Sequence, residues 1–358
     1  MAHEQHEIAD AVDAGPPASR RARIVDVAAL AGVSMKTVSR VVNGEAGVLA
    51  ETRERVEAAV VALGFVPDTR AQSLKRGGTD TIGILIDAIS DPFFASLVSA
   101  VEERAIERGL SVLFASTGYD ADRERAQLAR LTGDRLRGLI VAPVAVTSAA
   151  LEGLRHRFPV VCVDRAREGI DSVVVDDFGA TSEAIRQFID QGHRRIGFIG
   201  EVSAYPTVDT RLRAYRAVLA EAGIPFDGAL IAAQGRRRDE PSVRSLLSGP
   251  DAPTAVFCAT TLAAIAAINA IGTARLAMPA LISFGDFEFA DVFTPGITCV
   301  DQDPRRIGEA TFHRLMQLVD DAAAEPAHIV VPTHLVRRGS GELAPDHLPL
   351  ATPIGALR

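Results

Sequence analysis

Two basic residues, Lys36 and Arg40, stand four positions apart with Thr37, Ser39 and Asn43 interleaved. Residues four apart share one face of a helix, so both cations would project together with short polar groups beside them. Lys36 and Arg40 at that spacing can reach O6 and N7 of guanine in a major groove, while Thr37, Ser39 and Asn43 can hold backbone phosphates. The plain alternative is a helical hairpin with a solvated polar face. Catalytic chemistry has no comparable signature. No P-loop, nucleophile elbow, HExxH or GxGxxG stands where chemistry would need it. The eight His lack metal spacing, and Cys162, Cys258 and Cys299 each sit in a short apolar run without a CxxC pair. No catalytic residue, metal or cofactor is expected, and the three thiols are expected to be buried in strands.

The elements that would carry the basic pair can be placed from apolar spacing. Val38, Val41 and Val42 share one side of a helix over residues 35–43, which leaves Met35, Lys36, Ser39, Arg40 and Asn43 facing out. A helix over 24–31 precedes it, with Val27, Leu30 and Ala31 as its apolar side. Gly32 allows the tight turn between the two, and Ser34 suits an N-cap. A third helix spans 50–63 and stops at Gly64, with Pro67 barring continuation. Residues 1–20 lack a hydrophobic period and read as a tail. Residues 68–80 read as a linker with Gly77-Gly78, in which 69–75 could form about two helical turns.

From Thr81 onward, short β-branched runs alternate with helical stretches. The runs are 81–87, 110–116, 138–142, 160–164, 173–176, 196–200, 255–259, 281–284 and 297–300. This is the rhythm of a doubly wound parallel α/β sheet, and some 280 residues suffice for two lobes. The expected organisation is a tail at 1–20, a helix-turn-helix domain at 21–67 and a hinge at 68–80. A two-lobed α/β domain at 81–340 and a tail at 341–358 complete it.

Charge agrees with this division. The chain carries −8 overall, yet residues 20–78 hold ten Lys or Arg against six acids. A basic module on an acidic body is expected when only one part approaches phosphates. No stretch reaches the length of a membrane helix and the start lacks the apolar core of a secretory signal, so a cytoplasmic protein without membrane contact is expected.

The run Asp26 to Asn43, with Glu51-Thr52-Arg53-Glu54-Arg55-Val56, Gly64-Phe65-Val66-Pro67 and Ala71-Gln72-Ser73-Leu74, closely resembles the lactose-repressor (LacI/GalR) family of transcriptional regulators. The resemblance continues to about Arg338 through Thr81-Ile82-Gly83, Asp91-Pro92-Phe93-Phe94, Gly192-His193-Arg194-Arg195-Ile196 and Pro295-Gly296-Ile297-Thr298. It implies an all-α helix-turn-helix headpiece and a periplasmic-binding-protein-like body whose two lobes are joined by three crossovers around an effector. It implies Met35, Lys36 and Arg40 as base readers, Thr37, Ser39, Asn43 and Arg53 on phosphates, and Leu74 as a wedge in the minor groove. For the effector, Asp91, Phe93 and Phe94 follow the first strand, where a strand's carboxyl end opens on a crevice. Asp164 resembles a ligand-contacting acid of the family, and Arg211 fits its Arg-x-x-Gly-aromatic motif with Ala214 in place of Gly.

The chain departs from the family at Leu49, where a Ser or Thr usually caps the third helix, and at Asp68, where Asn is usual. Thr260-Thr261 replaces Asn-Asp, and Ser283-Phe284-Gly285-Asp286 replaces Gly-Phe-Asp-Asp. Thr260 and Asp286 remain the expected effector contacts at those places. The functional expectation is a DNA-binding regulator that grips a palindromic double-stranded operator as a homodimer, under control of a sugar, a sugar acid or a similar small molecule. The alternative is a soluble sugar-binding protein or a sugar-processing α/β enzyme without a DNA role.

Overall fold

The computed structural model describes residues 22–42, 45, 47–65, 80–133, 135–200, 206–233, 241–249, 251–321 and 323–346. Asn43, Asp68 and Leu74 lie outside them. The chain divides into two compact units between Gly78 and Thr79.

The first unit contains α1 (Ile24–Ala31), α2 (Met35–Val42) and α3 (Ala50–Leu63). Val27, Ala28 and Ala31 meet Val38 and Val41 of α2 and Val56 and Ala59 of α3 in a small core. Leu30 was expected on this apolar side but is 56% exposed. The spacing of Ile24, Val27, Ala28 and Ala31 defines the buried stripe, and Leu30 falls off it. Gly32 turns the chain at φ +64°, a conformation that favours glycine. Ser34 then starts α2, its Oγ accepting from Thr37 N at 3.1 Å. The Arg55 guanidinium reaches across from α3 and donates from Nη2 to Ala31 O at 2.6 Å, satisfying a terminal carbonyl of α1. Leu49, in the N-cap position of α3, makes no capping hydrogen bond and is 79% exposed.

Among its described residues the second unit holds two six-stranded sheets. In the first the order is β11 (His328–Val331), β5 (Asp171–Val175), β4 (Val160–Val163), β3 (Gly138–Val141), β1 (Thr81–Ile86), β2 (Ser111–Ser116). In the second it is β12 (His334–Val336), β10 (Thr298–Asp301), β9 (Ala280–Phe284), β8 (Ala255–Cys258), β6 (Ile196–Ile199), β7 (Ile231–Ala232). Every pairing is parallel except β12 on β10. The central strands are buried along nearly their whole length, as parallel strands covered on both faces must be.

The chain passes between the sheets three times. It leaves the first after β5 into α7 (Asp177–Asp190), which packs on α8 (Pro206–Glu221). It returns after β10 into α11 (Pro304–Asp320), which packs on α4 (Pro92–Glu107). It crosses a last time between β11 and β12. The expected two lobes and three crossovers are therefore present. The short strands β7, β11 and β12 were not among the expected runs. Cys162, Cys258 and Cys299 are free and buried in β4, β8 and β10. Among the described residues no helix is long and apolar enough to cross a membrane.

Candidate DNA-reading face and effector cleft

On α2 the buried Val38 and Val41 define one side, and Met35 and Lys36 are exposed while Ser39 and Arg40 are half-buried. The structure thus brings Met35, Lys36, Ser39 and Arg40 onto the solvent side of one helix. Thr37 is half-buried, with its hydroxyl 2.9 Å from that of Ser34. Arg40 Nε donates to Glu45 at 3.3 Å, and Arg53 Nη2 on α3 donates to the Glu45 carbonyl at 3.1 Å. Both arginines are therefore positioned through one residue of the α2–α3 connection, a link that apolar spacing could not reveal.

In the second unit a cleft of about 630 Å³ of atom-free space, counting its open side, lies at the carboxyl ends of parallel strands. The first sheet and its connections supply Asp87 after β1, Asp91, Phe93 and Phe94 at the start of α4, Tyr119 after β2, and Asp164 and Arg165 after β4. The other side supplies Thr207, Val208 and Arg211 on α8, Phe284 at the end of β9, and Gln302 after β10. Thr260, Thr261 and Leu262 open α10 (Thr261–Ala274) and complete that wall. Of the expected effector contacts, Asp91, Phe93, Phe94, Asp164, Arg211 and Thr260 share this cleft.

Asp286 is not among them. Its carboxylate is held face to face by Arg338, with Nη1 at 2.7 Å and Nη2 at 2.6 Å, and it also accepts from Phe287 N at 2.8 Å. Gly285 turns this segment at φ +103°, and a Cβ there would lie 2.3 Å from Thr261 Oγ1. The two departures from the family, Thr260-Thr261 and Gly285-Asp286, therefore meet in space. The hydroxyl of Thr261 occupies what a side chain at 285 would need.

Arg211 was expected to contact the effector, and its fork is already engaged within the protein. Nε donates to Asp177 Oδ1 at 2.8 Å, Nη2 lies 2.6 Å from the same oxygen, and Nη1 donates to Ala259 O at 2.5 Å. The guanidinium also stacks 3.6 Å from the centre of the Phe284 ring. Burial pushes the Asp177 carboxyl up, and Arg211 offsets part of that rise.

Arg165, which sequence reasoning missed, is 5% exposed. It binds both oxygens of the fully buried Asp87, donates to Pro143 O at 3.3 Å, and lies with Nε 3.0 Å from the Asp164 carboxylate. Burial works against its charge, but Asp87 and Asp164 outweigh that and hold it above the ordinary arginine value. The Asp87 carboxyl is itself raised by burial despite Arg165. Asp91 caps α4, accepting from Phe93 N at 3.0 Å and from the Tyr119 hydroxyl at 3.2 Å. Burial dominates there and pushes its carboxyl up to about 6. Asp164 stands at φ +66°, in the left-handed region, where Asp is among the few tolerated side chains. Asp87 and Arg165 end strands just as Asp164 does, so the strand-end rule contained a signal for them. Tyr119 and Gln302 carried none.

Comparison with known proteins bears on both parts. Residues 23–68 match the family model for bacterial regulatory proteins of the lacI family, and residues 185–341 match a periplasmic binding protein-like domain. The chain is 32% identical over 332 residues to the HTH-type transcriptional repressor PurR of Photobacterium profundum, covering 89% of this chain and 98% of that one. It is 33% identical over 331 residues to PurR of Escherichia coli, with 89% and 96% covered. Among solved structures, the Lac repressor dimer bound to operator and the anti-inducer ONPF superposes with a TM-score of 0.74 at 25% identity, covering 90% of this chain and 99% of that one. The regulator CelR in complex with cellobiose gives 0.65 at 29% identity, with 90% and 100% covered. Likeness that runs through headpiece and body alike, to proteins named as transcriptional repressors, decides the assignment: the chain belongs to the lacI family of bacterial regulatory proteins.

Proposed function

We propose that this chain represses transcription by binding a palindromic operator as a homodimer, and that a small molecule in the α/β cleft sets its affinity. The carrying observation is that Lys36 and Arg40 stand on the solvent side of α2 while Val38 and Val41 of the same helix are buried. Met35, Lys36 and Arg40 read base edges; Thr37, Ser39 and Arg53 hold phosphates and set the register. Asn43 and Leu74 belong to the same proposal on sequence grounds alone. A dimer presents two such helices to successive half-sites, which is why the operator should be palindromic. The site of action is the cytoplasm, where the DNA is.

Asp91, Phe93, Phe94, Asp164, Arg211 and Thr260 form the effector site of this reading. Aromatic walls with a few fixed polar groups suit a sugar-like ring, and the CelR and Lac repressor relatives were solved with cellobiose and with ONPG or ONPF. A ligand bridging two lobes favours one angle between them, and so shifts the DNA-competent population by its difference in affinity for the two states.

A mobility-shift assay compares the full chain with one beginning at Thr81 on a palindromic duplex. Binding by the full chain alone supports the proposal; equal binding by the shorter chain, or no preference over random DNA for either, refutes it. Absence of any DNA preference in both chains favours the binding-protein alternative.

A further inference from the structure

Among the described residues the charges of the effector cleft do not balance from within. On the side of the first sheet two buried carboxylates, Asp87 and Asp91, and the partly buried Asp164 gather around one guanidinium. Arg165 serves Asp87 with both terminal nitrogens and lies beside Asp164 with its third. Asp91 is 8% exposed, and its two oxygens accept from a backbone N–H and a phenol, both neutral donors. On the other side Asp177 and Arg211 cancel. With its carboxylates ionised the cleft therefore carries, among the described residues, two negative charges in excess.

Buried charge of one sign is costly unless a partner of opposite sign joins it. Burial raises the Asp91 carboxyl, and the carboxylates of Asp164 and Asp87 add a smaller push in the same direction. An added carboxylate or phosphate would worsen the imbalance. Both arginines are already engaged: Nε and Nη1 of Arg211 donate to Asp177 and Ala259 with Nη2 2.6 Å from Asp177, and Arg165 lies between Asp87 and Asp164, only its buried Nε making no hydrogen bond.

We propose that the effector carries a protonated nitrogen, held by Asp91 and Asp164 against the aromatic wall of Phe93 and Phe94, and that the cleft rejects carboxylated and phosphorylated analogues. This rests on the cleft being the effector site, as read above. It replaces the expectation of a sugar acid with that of an amine, such as an amino sugar.

Two experiments test it, the first without any ligand. Asp91→Asn keeps the helix cap, since Asn caps as well as Asp, and removes one excess charge. Its Tm at pH 7.5 should rise by a few degrees. The gain should shrink at pH 5.5, where Asp91 facing Asp87, Asp164, Tyr119 and Arg165 already takes up a proton. A lower Tm at pH 7.5 overturns the claim of excess charge.

The second is calorimetric titration of the full chain at pH 7.5 with glucose, glucosamine and glucuronate, and with the galactose and mannose counterparts. At least one amino sugar should bind about tenfold or more tightly than its neutral parent, a difference of roughly 1.4 kcal/mol, and Asp164→Asn should erase that preference. If every amino sugar that binds is matched by its neutral parent or its uronate, the proposal is overturned. If Asp91→Asn stabilises while none of the nine compounds binds, the failure falls on the sugar-like reading of the site and the charge argument stands.

Discussion

Arg211→Ala gives the sharpest test of how the cleft is built. The side chains of Arg211 and Asp177 are 4% and 11% exposed, and the guanidinium also satisfies the carbonyl of Ala259. Removing the arginine leaves a buried carboxylate without its partner, a change that costs about 3–5 kcal/mol. That is a large part of the roughly 5–15 kcal/mol by which a domain is stable. Urea unfolding followed by far-UV circular dichroism should show the loss as a lower midpoint at unchanged slope. Burial already raises the Asp177 carboxyl, and without Arg211 only the weaker pull of Arg165 offsets that rise. A carboxyl whose folded value lies above its unfolded one binds its proton more tightly in the folded state, so stability falls as pH rises between the two values. The deficit of Arg211→Ala should therefore be smaller at pH 5 than at pH 8. Adding Asp177→Asn removes the orphaned charge and should restore more than half of the loss. A deficit under about 1 kcal/mol, the size found for solvated surface pairs, with no dependence on pH, would refute the picture of a desolvated pair. The double variant also matters for function, because a lost effector response in Arg211→Ala alone mixes lost contact with lost structure.

Three other outcomes are expected. Lys36→Ala or Arg40→Ala should weaken binding to the preferred operator by about 1–3 kcal/mol and relax base preference at one position, as read from a panel of single-base operator variants. Leu49→Thr supplies the hydroxyl that the first turn of α3 lacks and should stabilise the headpiece by about 1 kcal/mol, seen as a higher urea midpoint of the headpiece helices. Gly285→Ala combines a strained φ of +103° with a contact on Thr261 and should destabilise by about 1–3 kcal/mol; adding Thr261→Ala relieves only the contact, so thermal melts should show partial recovery.

Apolar periodicity was enough to place the three-helix unit, the α/β body and the solvent side of α2. All three follow from short-range order. Val38 and Val41 at helical spacing leave Lys36 and Arg40 no side but the outer one, and β-branched runs such as Val160–Val163 can only be buried strands. Local spacing misled at Leu30, where two stripes were possible and the packing of α3 chose the one containing Ala28. It was silent on His328–Val331 and His334–Val336, short strands at sheet edges whose partners lie far away in sequence.

The chemistry of the cleft arose from long-range packing. Arg165 meets Asp87 across 78 positions and Arg211 meets Asp177 across 34, so no window of sequence contains either pair. Whether an arginine greets a ligand or is spent on a neighbour depends on which carboxylate the fold brings within about 3 Å of it. The same dependence took Asp286 from the cleft to Arg338, because a charge is satisfied by what stands nearest in space.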